Sequence, residues 1–320
     1  MKRLLPLLLL IVAIGIAGCA GIGSLQGGGQ ELACKGAGVT DGVTITDFSF
    51  DYDQIYGGES VGLTLTVENL GGSEGKLKSY HLFGPDFGNE TMQWEITQET
   101  CNSAKTGSIT DLNKTLSAPD PDLNIPGGME TCTWTIKAPS ALTVETPASF
   151  NIRTTYEYKT QFSGVLTVMT SSYLQSMPPE ERKALIQSGG LSASCYTGGP
   201  IKLEAAAGTH FVDLAAGEEK TIRFKVTNVG PGYPFYGNTS NYADVKPEYM
   251  YTIHVDGGKS GPVNCTADSK VLSRGQTGTF DCIIKLTKAP TTKTDYNFQI
   301  GITYYYWQDS ATTIKVLRPL

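Results

Sequence analysis

Seven cysteines, three histidines, a few paired acids and two knots of aromatic residues are the side chains here with chemistry to offer. The cysteines are Cys19, Cys34, Cys101, Cys132, Cys195, Cys265 and Cys282. Cys19 closes an apolar leader. Setting it aside leaves six, an even number that in an exported chain reads as three disulfides. His81, His210 and His254 have no histidine or cysteine partner at metal-ligand spacing. Each is expected to be an ordinary strand or loop residue, and neither a metal nor another cofactor is expected. Asp51-Tyr52-Asp53 and Asp120-Pro121-Asp122 offer oxygen ligands but lack the full loop of a calcium site, which takes roughly six to eight ligands. They read as solvated turn acids. No G-x-S-x-G or P-loop pattern is present, so the reading is of a chain without catalytic residues.

Two further features carry possible chemistry. Asn89-Glu90-Thr91, Asn113-Lys114-Thr115 and Asn238-Thr239-Ser240 are permitted N-glycosylation sites, while Asn264-Cys265-Thr266, beside a disulfide, is expected to be the least accessible. Aromatics gather in Tyr233-Pro234-Phe235-Tyr236 and in Tyr304-Tyr305-Tyr306-Trp307. On a strand Tyr304 and Tyr306 face one side and Tyr305 and Trp307 the other. Tyr233, Phe235, Tyr236, Tyr305 and Trp307 are then either a contact patch for a sugar or protein, or packing against the other half of the chain or the linker.

The elements that must hold these residues are strands. Gly and Tyr are abundant and helical periodicity is nearly absent, an all-β composition. Short alternating runs predict strands at Val43 to Phe50, Val61 to Val67, Lys76 to Leu82, Met92 to Gln98, Met129 to Lys137, Phe150 to Tyr158 and Gly164 to Met169. The second half repeats the first. Leu63 to Gly71 matches Ile222 to Gly230, and Phe150, Ile152, Tyr156 and Tyr158 match Phe298, Ile300, Tyr304 and Tyr306 at a constant offset of 148. The expected architecture is two tandem immunoglobulin-like β-sandwich domains, 34–172 and 193–320, joined by a short helix within 173–192 and each complete in itself. The repeat pairs Cys101 with Cys132 and Cys265 with Cys282. Cys34 and Cys195 remain, either bridging the domains or free.

Residues 1–18 are basic at Lys2 and Arg3, apolar from Leu4 to Ile16, and end in small residues before Cys19. The run is shorter than the roughly 20 residues of a membrane span, which favours a signal peptide. Ile16-Ala17-Gly18-Cys19 resembles the lipobox of bacterial and archaeal lipoproteins. That resemblance implies lipidation of Cys19 and a tether to the extracytoplasmic face of the cell membrane, with the Gly-rich residues 19–33 as a flexible linker. Without Lys2 and Arg3 the 25 basic residues fall to 23 against 31 acids, a net charge of −8 that argues against nucleic acid. Val67-Glu68-Asn69-Leu70-Gly71 and Val226-Thr227-Asn228-Val229-Gly230 resemble the turn of CARDB-like immunoglobulin-like modules of cell-surface proteins. Asn and Gly suit the left-handed backbone of such a turn. The resemblance implies adhesion, spacing or recognition of an envelope protein or polysaccharide. The alternatives are a subunit of a surface filament or S-layer-like assembly built by strand exchange, and a glycan-binding accessory protein.

Overall fold

The computed structural model describes residues 39–88, 90–100, 110–237 and 246–318. Cys19, Cys34, Asn89, Cys101 and Asn238 lie outside them. Within them, alternation becomes strand: along Ser60–Asn69 the residues Val61, Leu63, Leu65 and Val67 are buried, and the residues between them are not.

In chain order the first half gives β1 (Val43–Phe50), β2 (Gln54–Tyr56), β3 (Ser60–Asn69), β4 (Gly75–Phe83), β5 (Glu95–Glu99), β6 (Thr110–Leu116), β7 (Met129–Lys137) and β8 (Thr146–Met169). Helices α1 (Ser171–Ser176) and α2 (Pro179–Gln187) follow. The second half gives β9 (Leu191–Tyr196), β10 (Ile201–Ala205), β11 (Glu219–Asn228), β12 (Tyr233–Phe235), β13 (Thr252–Val255), β14 (Gly258–Ser260), β15 (Val263–Cys265), β16 (Asp268–Val271), β17 (Thr277–Lys285) and β18 (Lys293–Leu317). Three sheets result. One has the order β1-β3-β7-β5, another β10-β11-β17-β15-β14, and the third runs β16-β13-β18-β8-β4-β6 with β12 and β2 added on β18 and β9 on β8.

The third sheet belongs to both halves. Phe150 to Tyr158 and Gly164 to Met169, expected as two strands, form the single 24-residue strand β8, and β18 is its 25-residue counterpart. Gly164 suggests a break, yet the strand runs through it opposite Phe298, and the missing side chain leaves room for the Phe298 ring, which a Cβ would approach to 2.8 Å. β8 and β18 pair antiparallel from Lys293 opposite Met169 to Val316 opposite Thr146 without a bulge. Tyr304 lies opposite Tyr158, Tyr306 opposite Tyr156, and Glu157 opposite Tyr305, its own equivalent in the repeat. A pseudo-two-fold axis therefore passes between Glu157 and Tyr305, and the repeats meet as an isologous pair.

This corrects the expectation that each sandwich is self-complete. At about 3.3 Å per residue β8 spans roughly 80 Å, far more than one small sandwich can cover, so its far end lies over the neighbour. The last turn of alternation in β18 buries Ile314 and Val316 with the first half, where Lys315, Val316 and Leu317 pair in parallel with β2. Gln308 Nε2 donates to the Val43 carbonyl at 2.8 Å. Phe150 there packs against Phe50 at 5.0 Å and Trp94 at 4.9 Å. Reciprocally, Phe162 of β8 meets Phe224 at 5.7 Å and Phe298 at 5.9 Å in the second sandwich.

Local departures have local causes. Val43 and Ile45 do not share a buried face to the strand's end, because a bulge between Ile45 and Asp47 turns Phe48 inward instead. The linker holds two helices, not one. Thr170 caps α1 by accepting from Tyr173 N, and Met177, extended as a residue before proline must be, separates it from α2. Leu185 is buried, Ile186 packs against the core, and Gly189 and Gly190, at φ +67° and +85°, end the helix. Cys265 and Cys282 are bonded directly across β15 and β17 with Cα atoms 4.4 Å apart. Cys132 and Cys195 each take part in a disulfide as well.

Candidate binding face of the shared sheet

Even-numbered residues of β8 and β18 fill the core, so odd-numbered ones form the opposite face of the sheet. Beneath that face four tyrosines close the pseudo-two-fold. Tyr156 and Tyr306 have ring centroids 5.6 Å apart, and Tyr158 and Tyr304 6.1 Å. Burial raises all four hydroxyls above the usual range, Tyr158 to about 12. Tyr158 Oη donates to the Gly198 carbonyl at 2.7 Å and accepts from Ser73 N at 3.0 Å. Tyr306 Oη donates to Asn228 Oδ1 at 3.0 Å and accepts from Gly232 N at 2.8 Å.

The repeated Asn and Gly serve these corners, which corrects their reading as left-handed turn residues. Positive φ occurs at Asn113 and Asn124, not at Asn69 or Asn228. Asn69 is fully buried, and its Nδ2 donates to the Ser73 and Leu116 carbonyls at 2.8 and 3.0 Å. Asn228 Nδ2 donates to the Gly232 and Gly275 carbonyls at 2.8 and 3.0 Å. A Cβ on Gly71 would run into Tyr158 Oη, and one on Gly230 would lie 2.6 Å from Tyr306 Oη. The glycines are there for close approach.

On the outward face the five predicted aromatics do come together. Tyr233 and Trp307 are 5.2 Å apart, Phe235 and Tyr305 5.3 Å, and Tyr236 and Tyr305 6.4 Å. Phe235 is fully buried, so it supports the patch and does not form its surface; the other four are half-buried. Tyr236 stacks on His254 at 4.7 Å. The packing comes from both repeats: the Arg153 guanidinium of β8 lies 4.0 Å from the Trp307 ring and holds Asp309 with bonds of 2.7 and 2.6 Å. His81 lies in the same row, and burial, then the charge of Arg153, lowers its pKa.

Beside the aromatics runs a polar groove of about 340 Å³, lined by Ser73, Lys76, Glu157, Lys159, Gln161 and Thr303 among others. Glu157 is held between Lys76 at 3.5 Å and Lys78 at 3.1 Å. Lys159 pairs with Asp256 at 2.7 Å, and Thr303 Oγ1 donates to the same carboxylate at 3.0 Å. Burial, then the negative charge of Glu157, raises the Tyr305 hydroxyl. Sequence reasoning missed this groove, since it is made by the register of β8 against β18. The arrangement offers hydrogen-bond donors and acceptors already set by ion pairs, next to an aromatic ring. Among the described residues no three His, Cys, Asp or Glu side chains gather as metal ligands.

Of the remaining predicted residues, Asn113 is exposed in β6. Asn264, expected to be least accessible, is exposed: alternation in β15 buries Cys265 and turns its neighbour out. Asp122 N donates to Asp120 Oδ1 at 3.2 Å within a turn, and Asp51 and Asp53 are exposed.

The fold and this face define an all-β protein of two sandwiches joined through one shared sheet. No protein-family profile matches the chain, and no curated protein matches it. Among solved structures it is similar to the secreted serine protease VesC from Vibrio cholerae, with 12% identity over 85% of this chain and 51% of that one and a TM-score of 0.20. The chain spans about half the length of that protease. It is similar also to the Enterococcus faecalis MSCRAMM ACE, with 7% identity, coverage of 86% and 95%, and a TM-score of 0.18. The collagen adhesin CNA from S. aureus follows with 9% identity, coverage of 90% and 95%, and a TM-score of 0.11. TM-scores this low establish no shared fold.

Proposed function

We propose that this chain is a noncatalytic binding module at the extracytoplasmic face of a cell membrane, tethered by lipid on Cys19 and presenting the outward face of its shared sheet to an envelope protein or polysaccharide. The observation that carries this reading is that face: Tyr233, Tyr236, Tyr305 and Trp307 are brought together from separate strands and left half-exposed beside a polar groove. Aromatic rings with one wet edge are the side chains that binding surfaces use most. The Cys265–Cys282 bridge fits an oxidising compartment, and the resemblance of Val67–Gly71 and Val226–Gly230 to CARDB-like modules fits a surface role. A filament subunit built by strand exchange needs an unfilled acceptor, and here the exchanged ends of β8 and β18 find theirs within the chain.

The test is to express the full chain and its Cys19→Ala variant in a host with lipoprotein processing. The unaltered chain incorporates labelled fatty acid and sediments with membranes, and the variant loses both. Equal labelling and sedimentation of the two would sink the tether. Binding is read with envelope fragments treated with protease or left intact. The Tyr236→Ala/Tyr305→Ala double variant should retain the fold and lose retention on the fragments.

A further inference from the structure

The groove at the pseudo-two-fold carries a more specific assignment, which rests on the reading of the chain as a binding module. The geometry points to a neutral saccharide as its ligand, lying across Lys76, Glu157, Lys159 and Gln161 against the ring of Tyr305. Three features lead there.

First, charge in the groove is balanced. Among its lining residues Lys76 and Lys159 stand against Glu74 and Glu157, and Lys159 is further tied to Asp256. A phosphate or an ammonium would have to displace one member of an ion pair and leave the other uncompensated. A sugar hydroxyl donates to a carboxylate and accepts from an ammonium at once, so it joins the network without breaking it. Second, the polar groups are preorganised. Glu157 is fixed by Lys76 and Lys78, Thr303 and Lys159 are both held by Asp256, and Gln161 adds an amide that donates and accepts. Third, the ring of Tyr305, outside the groove's own lining, is the cross-strand neighbour of Glu157. Cross-strand order places Phe235, Tyr305, Glu157 and Lys76 in one row across β12, β18, β8 and β4. Phe235 stacks against one side of Tyr305 at 5.3 Å and 27°, and Glu157 stands on the other. The apolar C–H face of a pyranose packs on such a ring while its hydroxyls reach the carboxylate and amine. The volume of about 340 Å³ is at the small end of ligand sites, suited to one or two sugar units.

The experiment titrates the full chain in detergent against neutral gluco-, manno- and galacto-configured oligosaccharides, with Glu157→Gln and Gln161→Ala as variants and circular dichroism to show that each variant folds. Both residues are on the sheet surface and outside the tyrosine core. One sugar class binds, each variant weakens it by about tenfold or more, and affinity changes little as salt is raised. Unchanged affinity in both folded variants would place the sugar elsewhere and overturn the assignment. So would steep weakening by salt, which marks a charged ligand, or the failure of every saccharide to bind. Any of these, with lipidation at Cys19 and retention on envelope fragments intact, leaves the binding-module reading standing. Loss of those two results sinks that reading whatever the sugars do.

Discussion

At the scale of the residue, the repeated Asn-x-Gly and the tyrosine that answers it are best understood as one device. Asn228 satisfies two backbone carbonyls and a tyrosine hydroxyl in a buried corner. Asn228→Ala strands all three, and the expected loss is about 3 kcal/mol, read as a lower urea midpoint at unchanged slope. A cost below about 0.5 kcal/mol would mean that the corner is not the source of stability argued here. The alternating pattern around Asn228 was legible in sequence, but the reason for the Asn was not, since beyond Gly230 its partners lie 4, 47 and 78 residues away. The tyrosines add a pH dependence. Tyr156, Tyr158, Tyr304 and Tyr306 have raised values in the folded state, against a reference of 10.0. The unfolded chain therefore releases protons first as pH climbs, so this stabilisation is complete below about pH 10 and is lost progressively above it. The part of the tyrosinate absorbance that comes from these four should appear together with the loss of sheet circular dichroism above that pH. Full tyrosinate formation with the fold intact would contradict the burial argument.

At the scale of the element, β8 and β18 decide the architecture. Their alternation of buried and outward residues was readable, and with it the inward Tyr304 and Tyr306 and the outward Tyr305 and Trp307. Their continuity was not readable, because Gly164 and polar stretches such as Asp309–Thr313 look like ends when no partner strand is in view. Partner and register are long-range properties, and a period of two is compatible with many of them. The exchange predicts an effect at a distance in sequence. Ile314→Ala, in the second repeat, leaves a cavity in the first sandwich and costs about 3 kcal/mol. Hydrogen exchange should show the lost protection in β3 and β7 as well as in β18. Loss confined to β11 and β17 would restore the picture of self-complete domains.

At the scale of the whole molecule, the repeat in sequence suggested two beads on a string, and what stands is closer to a two-fold pair fused into one chain. The difference matters for cooperativity. In a string each bead can open alone, because little apolar surface crosses the linker. Here, opening the first sandwich would strip Ile314 and Val316 of their cover and part Lys315, Val316 and Leu317 from β2, while opening the second would uncover Phe162 and release β9 from β8. Either event also frays the central pairing of Tyr156 with Tyr306 and Tyr158 with Tyr304, where the two sandwiches share one core. Local unfolding on one side therefore exposes apolar surface on both, and the cheapest open state is the fully unfolded one. Calorimetry of the chain should accordingly give one transition whose van't Hoff and calorimetric enthalpies agree, at the enthalpy of the whole folded unit. Two resolved transitions, each with the enthalpy of about half the chain, would show that the shared sheet does not couple the halves, and the proposed binding face across β8 and β18 would then be the first part to come apart on heating.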